Sequence, residues 1–145
     1  MPDLPLRRAR IARLLPHAGA MCLLATVEAC DEARIVCRAT SHRDPGNPLR
    51  REGVLRAVSG VEYAAQAMAL HGALRARREQ PRVGYLVSVR DVRCDAATLD
   101  AHPGDLEIVA ELLAGDDANV AYAFAIRALT LPLLSGRATV SLEPG

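Results

Sequence analysis

Two polar side chains stand in an otherwise apolar stretch of the sequence, and one of them can perform acid–base chemistry. Glu62 and Gln66 are four residues apart, so in a helix they share one face, and Ser59 lies one turn earlier. A carboxylate among apolar residues is costly unless it is paired or used. A carboxyl group held in position can also donate or accept a proton. Glu62 is therefore the first candidate for a functional group.

The stretch around these residues predicts a long buried helix over about 57–78. Ala, Met and Leu, which favour helices, dominate this stretch, and it contains no proline. Residues 61–70 are apolar on nearly every face. This pattern is typical of a buried helix and not of a helix on the surface. The helix would place the carboxylate inside the domain.

Two strands are predicted before the helix. Residues 34–40 alternate between apolar and charged side chains, which indicates a half-buried strand, and 20–29 form an apolar strand with a hairpin turn at 31–32. Residues 1–10 hold two prolines and several arginines and are predicted to be a loose arm. Residues 41–56 are rich in turn-forming residues, and a loop of this length in a compact domain is usually functional.

Four strands are predicted after the helix, over 83–93, 106–114, 119–128 and 137–142. The 145 residues fit one domain. One antiparallel sheet covering one long helix is an α+β arrangement. Because the edge strands of such a sheet need cover, we also expect a dimer that joins sheets edge to edge.

Composition narrows the classes of function. The net charge of +1 does not favour nucleic acid as a partner, and no apolar run reaches the roughly 18 residues that span a membrane. The four cysteines form no CxxC pair, so we expect buried free thiols in a reducing, cytoplasmic protein. Histidine and cysteine spacing does not predict a metal site.

Four motifs resemble those of a known family. Residues 14–17 read LLPH, residues 42–48 read HRDPGNP, residues 60–68 read GVEYAAQAM and residues 103–106 read PGDL. In this order they resemble the β-hydroxyacyl-acyl-carrier-protein dehydratases, which have the hot-dog fold, a curved antiparallel sheet wrapped around a central helix. The resemblance is closer still to the dehydratase-like proteins of aryl polyene biosynthesis clusters. It implies a single hot-dog domain over 1–145.

The resemblance implies dehydration of 3-hydroxyacyl thioesters on acyl carrier protein to trans-2-enoyl thioesters. A base removes a proton from C2 and an acid protonates the leaving C3 hydroxyl. Glu62 matches the family's catalytic acid. His42, which opens the proline-rich loop, is the first candidate for the imidazole, although it lies farther before the acid than in the family. His17 is the second. Because these sites lie at dimer interfaces, the two groups can come from different chains.

Other residues are given supporting roles by the same resemblance. Backbone N–H groups at the helix start, near Ser59 and Gly60, would bind the thioester oxygen. Gly53 and Gly60 would allow the backbone to approach the substrate closely. Gln66 would either hold the Glu62 carboxylate or satisfy a strand edge.

The partner implied is acyl carrier protein, which is acidic, and the only cofactor is its phosphopantetheine. We expect Glu62 to lie in an apolar tunnel that receives the substrate. Three arginines near the mouth of this tunnel would meet the carrier protein: Arg50, Arg51 and Arg56. The assembly would be a homodimer or a heterodimer with another hot-dog dehydratase. Two alternatives stay open. The chain could be a non-catalytic subunit that pairs with an active homologue, or it could be an acyl thioesterase, since the same fold hosts thioester hydrolysis.

Overall fold

The computed structural model describes residues 3–16, 19–76 and 84–143. Within these ranges one antiparallel sheet of seven strands packs against one long helix, as the sequence predicts. The sheet order is β1-β2-β3-β5-β6-β7-β4. The elements are β1 (Leu6–Arg7), α1 (Arg8–Leu14), β2 (Thr26–Cys30), β3 (Arg34–Ala39), α2 (Gly60–Ala76), β4 (Gly84–Cys94), β5 (Leu106–Gly115), β6 (Asn119–Ala128) and β7 (Leu131–Leu142), with short 3-10 turns at Gly19–Met21, Ser41–Arg43 and Ala57–Ser59.

The long helix α2 is buried, which confirms the prediction from its apolar sequence. It packs on β3, β5 and β6. Ala64, Ala67 and Leu70 are fully buried. The helix continues directly from the 3-10 turn Ala57–Ser59. One face of α2, which includes Glu62, is only partly covered by its own chain.

The prediction of a loose arm over residues 1–10 is wrong for its second half. Leu6 and Arg7 form β1 and pair with Val27 and Thr26. The following helix α1 buries Ile11. Arginines separate the apolar residues Leu6 and Ile11, so the sequence shows no clear helix or strand pattern here. Packing against the sheet, which composition does not reveal, orders this segment.

The hairpin of β2 and β3 confirms the predicted turn. The Asp31 carboxylate accepts the backbone N–H groups of Ala33 and Arg34 at 2.8 and 2.9 Å. In β3, alternate side chains are buried, as predicted from the sequence: Ile35, Cys37 and Ala39. The first strand is shorter than the predicted 20–29. Residues 22–24 are buried but stand outside β2.

The later strands fall close to their predicted positions. The β5–β6 pair is an antiparallel ladder that starts at Leu106 and Ala128 and has a register irregularity between Leu112 and Ala114. The last strand differs, because β7 begins at Leu131 and not at residue 137. Pro132 is its second residue and lies beside a register irregularity, where the proline's missing N–H does little harm.

Strand β4 forms one edge of the sheet and is exposed along nearly its whole length. Within the described residues it pairs with β7 only. Tyr85, Val87 and Val92 are 59%, 61% and 42% exposed. A long edge strand with exposed apolar side chains on it is typical of a surface that another chain covers.

The cysteines are free, but not all are buried. Cys22 and Cys37 are buried, whereas Cys94 on β4 is exposed, so the expectation of buried thiols is wrong for that residue. Burial raises the pKa of the Cys37 thiol well above its usual range. None of the described helices has the length and apolar character needed to span a membrane.

Candidate active site

Glu62 lies on the first turn of α2 and lines a cavity of about 390 Å³. One wall is the helix face that continues through Ala65, Ala69 and Gly72. The opposite wall is made by strand ends: Gly84, Leu86, Val120, Tyr122, Val140 and Leu142. The volume falls within the range of small-ligand sites. Glu62 therefore faces a mainly apolar cavity, as the sequence predicts for a functional carboxylate.

The start of α2 is brought close to the sheet by Gly60. A Cβ atom at this position would lie 2.7 Å from Leu134 Cδ2 and 2.9 Å from Ile126 Cδ1. Only glycine allows this approach without a shift of those side chains. The start of the helix thus lies close to the sheet. This contact fixes the position of the first helical turn, which carries Glu62.

The backbone N–H groups predicted to bind a thioester oxygen are already engaged. The Ser59 N–H donates to the Arg56 carbonyl at 3.0 Å, and the Gly60 N–H donates to the carbonyls of Ala57 and Val58. They satisfy the 3-10 turn that leads into α2. Ser59 and Gly60 therefore serve the start of the helix, and their amides are not free for a ligand in this geometry.

Gln66 ties the central helix to the segment before β2. Its side chain is fully buried. The amide oxygen Oε1 accepts the Leu23 N–H at 2.9 Å, and Nε2 donates to the Met21 carbonyl. Of the two roles considered from the sequence, satisfying unpaired backbone groups is the one for which the structure shows hydrogen bonds.

Tyr63 holds the proline-rich loop against α2. Its side chain is fully buried. The hydroxyl lies 2.8 Å from Ser41 Oγ and accepts from Asn47 Nδ2 at 3.0 Å. Burial raises the pKa of Tyr63, so the phenol stays protonated at neutral pH. Sequence reasoning missed this residue. The signal that could have found it is a phenol inside an apolar helix, because a buried tyrosine hydroxyl needs a partner.

His42 is fully buried and does not line the cavity that Glu62 lines. Its Nε2 lies 3.0 Å from the His102 carbonyl and 2.9 Å from the Gly104 carbonyl. Since both neighbours are acceptors, Nε2 carries the hydrogen. Nδ1 is buried with no hydrogen-bond partner among the described residues. Burial lowers the pKa of His42, so the ring is neutral at pH 7.

Arg50 and Gly53 shape the loop between β3 and α2. The Arg50 guanidinium donates to the carbonyls of Gly53 and His42 and lies 3.3 Å from the Asp100 carboxylate. It is thus engaged inside the loop and only partly exposed. Arg51, which donates to the carbonyls of Pro48 and Arg50, and Arg56 are exposed. Gly53 has φ +78° and forms a turn in which a side chain would be strained. It does not line the Glu62 cavity.

A second buried histidine stands behind the wall of the cavity. His71 Nε2 donates to the Asp31 carbonyl at 2.7 Å, and its Nδ1 lies 2.8 Å from the Tyr122 hydroxyl. The two rings meet edge to face at 5.6 Å. Burial lowers the pKa of His71 and raises that of Tyr122 to about 12. His71 is therefore a buried residue with a structural role.

The structure therefore brings some of the predicted groups together and separates others. Glu62 lines the cavity, and none of the histidines in the described ranges lines it with Glu62. Pro16 lines it, and His17, the next residue in the chain, lies outside the described residues. A carboxyl group in a mainly apolar cavity is suited to proton transfer.

Solved structures share this fold. The chain is 26% identical to a chain of the dehydratase heterocomplex ApeI:P from Xenorhabdus doucetiae, with a TM-score of 0.83 over 99% of this chain and 93% of that chain. AziG from S. sahachiroi is 16% identical, with a TM-score of 0.65 over 91% and 100% of the two chains. A thioesterase from Pseudomonas aeruginosa is 15% identical, with a TM-score of 0.61 over 83% and 81%. These likenesses confirm the predicted hot-dog fold.

Sequence comparison gives the family. No curated protein sequence matches the chain. The model of one family, described as ApeP dehydratase, matches residues 9–144, which is nearly the whole chain and includes Glu62 and its cavity. This protein therefore belongs to the ApeP-like family of dehydratases.

Proposed function

We propose that this chain takes part in the dehydration of 3-hydroxyacyl thioesters on acyl carrier protein, in the synthesis of aryl polyene-type chains. As a member of a dehydratase family it is a hydro-lyase. The observation that carries the proposal is the position of Glu62, a carboxyl group at one end of a largely apolar cavity of about 390 Å³. The HRDPxNPLR and GxEYAAQAMA strings favour the aryl polyene context.

In this proposal Glu62 acts as the general acid. A base removes the proton from C2 of the substrate, the C2–H electron pair forms the new double bond, and the C3–O bond breaks. The carboxyl group of Glu62 gives its proton to the departing hydroxyl, which leaves as water. The apolar walls keep bulk water from the reacting carbons, which also protects the thioester from hydrolysis.

The base in this proposal is an imidazole that reaches the cavity from beyond its described walls. His42 is enclosed by its own chain, and its Nε2 donates to the carbonyls of His102 and Gly104. Two sources remain. His17 directly follows Pro16, which lines the cavity, and the second source is a histidine of a partner subunit.

We further propose a heterodimer in which β4 is the contact strand. Its outer edge has no partner strand among the described residues, and its apolar side chains are exposed. Gly84 and Leu86 of β4 also line the Glu62 cavity, so a subunit paired there would border the site. The relative from Xenorhabdus doucetiae is itself part of a dehydratase heterocomplex.

The carrier protein would meet the exposed arginines near the start of α2. Arg51 and Arg56 are exposed, and Arg56 lies six residues before Glu62 in the chain. Guanidinium groups suit both acidic side chains and the phosphate of phosphopantetheine. Arg50, which the sequence places beside them, has its guanidinium engaged within the loop and is left out of this surface.

A second candidate function is that of a supporting subunit. No histidine in the described part of the chain lines the cavity with Glu62. If His17 does not act and the partner supplies no imidazole to this cavity, the chain would stabilise the partner's own site without a reaction of its own.

The test is a comparison of the chain alone with the chain bound to an ApeI-type subunit. Each is given a 3-hydroxyacyl carrier protein, and the acyl group is analysed by mass spectrometry, with thiol release followed in parallel. The proposal predicts loss of one water from the complex and no free thiol. His17→Asn, His42→Asn and substitution of each partner histidine then identify the base. Thiol release in place of water loss would make the protein a thioesterase. Water loss that persists with Glu62→Gln would support the second candidate.

A further inference from the structure

The face of α2 that lines the cavity carries a row of small residues along its length. Beyond Glu62 the helix borders the cavity with Met68, Ala73 and Arg75 and with this row: Ala65, Ala69, Gly72 and Ala76. Their spacing alternates between three and four residues, which keeps them on one side of the helix. By the helix rise of 1.5 Å per residue, Ala69, Gly72 and Ala76 lie roughly 10, 15 and 21 Å from Glu62 along the helix axis.

No described atom of the chain requires a glycine at position 72. Gly72 lies inside α2, where glycine is less favourable than alanine by roughly 0.5–1 kcal/mol. Its φ is not positive, and a Cβ atom added to it would meet no atom of the described residues within 4 Å. Gly60 on the same helix is different, because its Cβ would collide with Leu134 and Ile126. The described residues therefore leave the space in front of Gly72 open to a ligand.

We propose that Gly72 is a specificity-determining residue that sets how long an acyl chain the cavity accepts. The proposal rests on the function proposed above and extends it to the class of substrate. With the thioester and C3 at Glu62, the rest of the acyl chain runs along the Ala65–Ala76 face toward Ala76. The opposite wall has the apolar side chains of Val120, Val140 and Leu142, and Asp116 and Asp117 also border the cavity. Such a channel accepts long, narrow acyl chains without a branch.

The acyl chain fits this space better than a segment of a partner subunit does. The cavity continues from a carboxyl group that can act on a thioester along a row of small side chains on the helix, with Met68 and Arg75 also on its border. A volume of about 390 Å³ suits a small ligand. A partner segment that fills the channel would instead make Gly72 an assembly residue, and this is one outcome of the test.

The test places a leucine at successive positions along the channel: Ala69→Leu, Gly72→Leu and Ala76→Leu. Each is measured in the oligomer in which the protein purifies, with unreactive acyl-pantetheine thioethers of increasing length as ligands. Calorimetry gives Kd. In the unaltered protein each added methylene should tighten binding about fourfold until the channel is full. The gain should stop at the shortest length for Ala69→Leu, at a longer one for Gly72→Leu and at the longest for Ala76→Leu.

Controls separate the possible results. Ala125→Leu adds the same bulk at an exposed position of β6, outside the cavity, and should leave the length profile unchanged. A profile that is the same in all variants would overturn the proposal, as would loss of the oligomer in the Gly72→Leu protein alone. Because the ligands do not react, failure of the dehydration assay with unaltered protein would reject the proposed function while this binding order still decides the role of Gly72.

Discussion

Glu62 and Tyr63 are neighbours in the chain, yet they face different parts of the molecule. Glu62 lines the cavity, whereas the Tyr63 hydroxyl lies 2.8 Å from Ser41 Oγ and holds the loop that carries His42. One residue step in a helix turns the side chain by about 100°. A single turn of α2 therefore presents Glu62 to the cavity and holds the loop that carries His42 on another side of the helix. The two parts of the family's motif are joined through this helix.

The Tyr63 hydroxyl should be important for stability. We expect Tyr63→Phe to lower the free energy of unfolding by about 1–3 kcal/mol, because the amide of buried Asn47 then loses a partner. Urea denaturation measures this. Tyr85→Phe removes the same hydroxyl from an exposed strand and is the matched control. Equal midpoints for the two variants would show that the loop is held by other contacts.

Replacing Gln66 should lower the stability of the fold. Gln66→Leu leaves the Leu23 N–H and the Met21 carbonyl unpaired inside the protein. Each unpaired buried group costs roughly 1–3 kcal/mol, so thermal unfolding should begin at a lower temperature. A variant that keeps its melting temperature but loses dehydration would instead show that Gln66 orients the Glu62 carboxylate.

Stability should fall as the solution is acidified. Burial lowers the pKa of both His42 and His71, so in the folded protein they are neutral where the unfolded chain, with an ordinary value near 6.5, already binds protons. The unfolded state binds more protons in that window, and the free energy of unfolding therefore rises with pH. The contribution of these two histidines to the free energy of unfolding should be complete above about pH 6.5 and should decrease below that pH.

The measurement is a set of urea titrations between pH 5 and pH 7.5. Replacing His71 with Asn removes one of the two groups and should flatten the dependence. If that variant has the same slope as the unaltered protein, His71 is not responsible for a share of it.

Strand β4 should be required for assembly. Val87→Asp puts a charge on an edge strand where the valine is 61% exposed in the single chain, and we expect the complex to dissociate. Leu113→Asp makes the same kind of change on β5, where the leucine is 48% exposed. Light scattering should show loss of the oligomer for the first variant and not for the second. The reverse result would place the interface elsewhere.

Much of the fold could be predicted because its signals are local. The alternation in β3 and the uninterrupted apolar run of α2 each identify an element without reference to the rest of the chain. The arm at Leu6 could not be predicted this way, since its order comes from pairing with Val27, twenty-one residues later. Packing partners that are distant in sequence leave no periodic pattern.

The site was predictable in its residue types and less so in its contacts. Glu62 was identified because a carboxylate is conspicuous in an apolar helix. Arg50 was grouped with two other arginines, but its partners are the His42 carbonyl and the Asp100 carboxylate, which only the folded loop brings near. The orientation of His42 depends on carbonyls sixty and sixty-two residues away.

The most direct test of the account is the dehydration rate of the complex that carries Glu62→Gln. This change keeps the size of the side chain and removes the proton that the leaving hydroxyl needs. Glu111→Gln, at an exposed position of β5, is the matched control. We expect the first variant to form a normal complex and to lose about 10²–10⁴-fold in rate, while the control keeps the rate of the unaltered protein. A Glu62→Gln complex that dehydrates its substrate as fast as the control would contradict the assignment of this cavity as the active site.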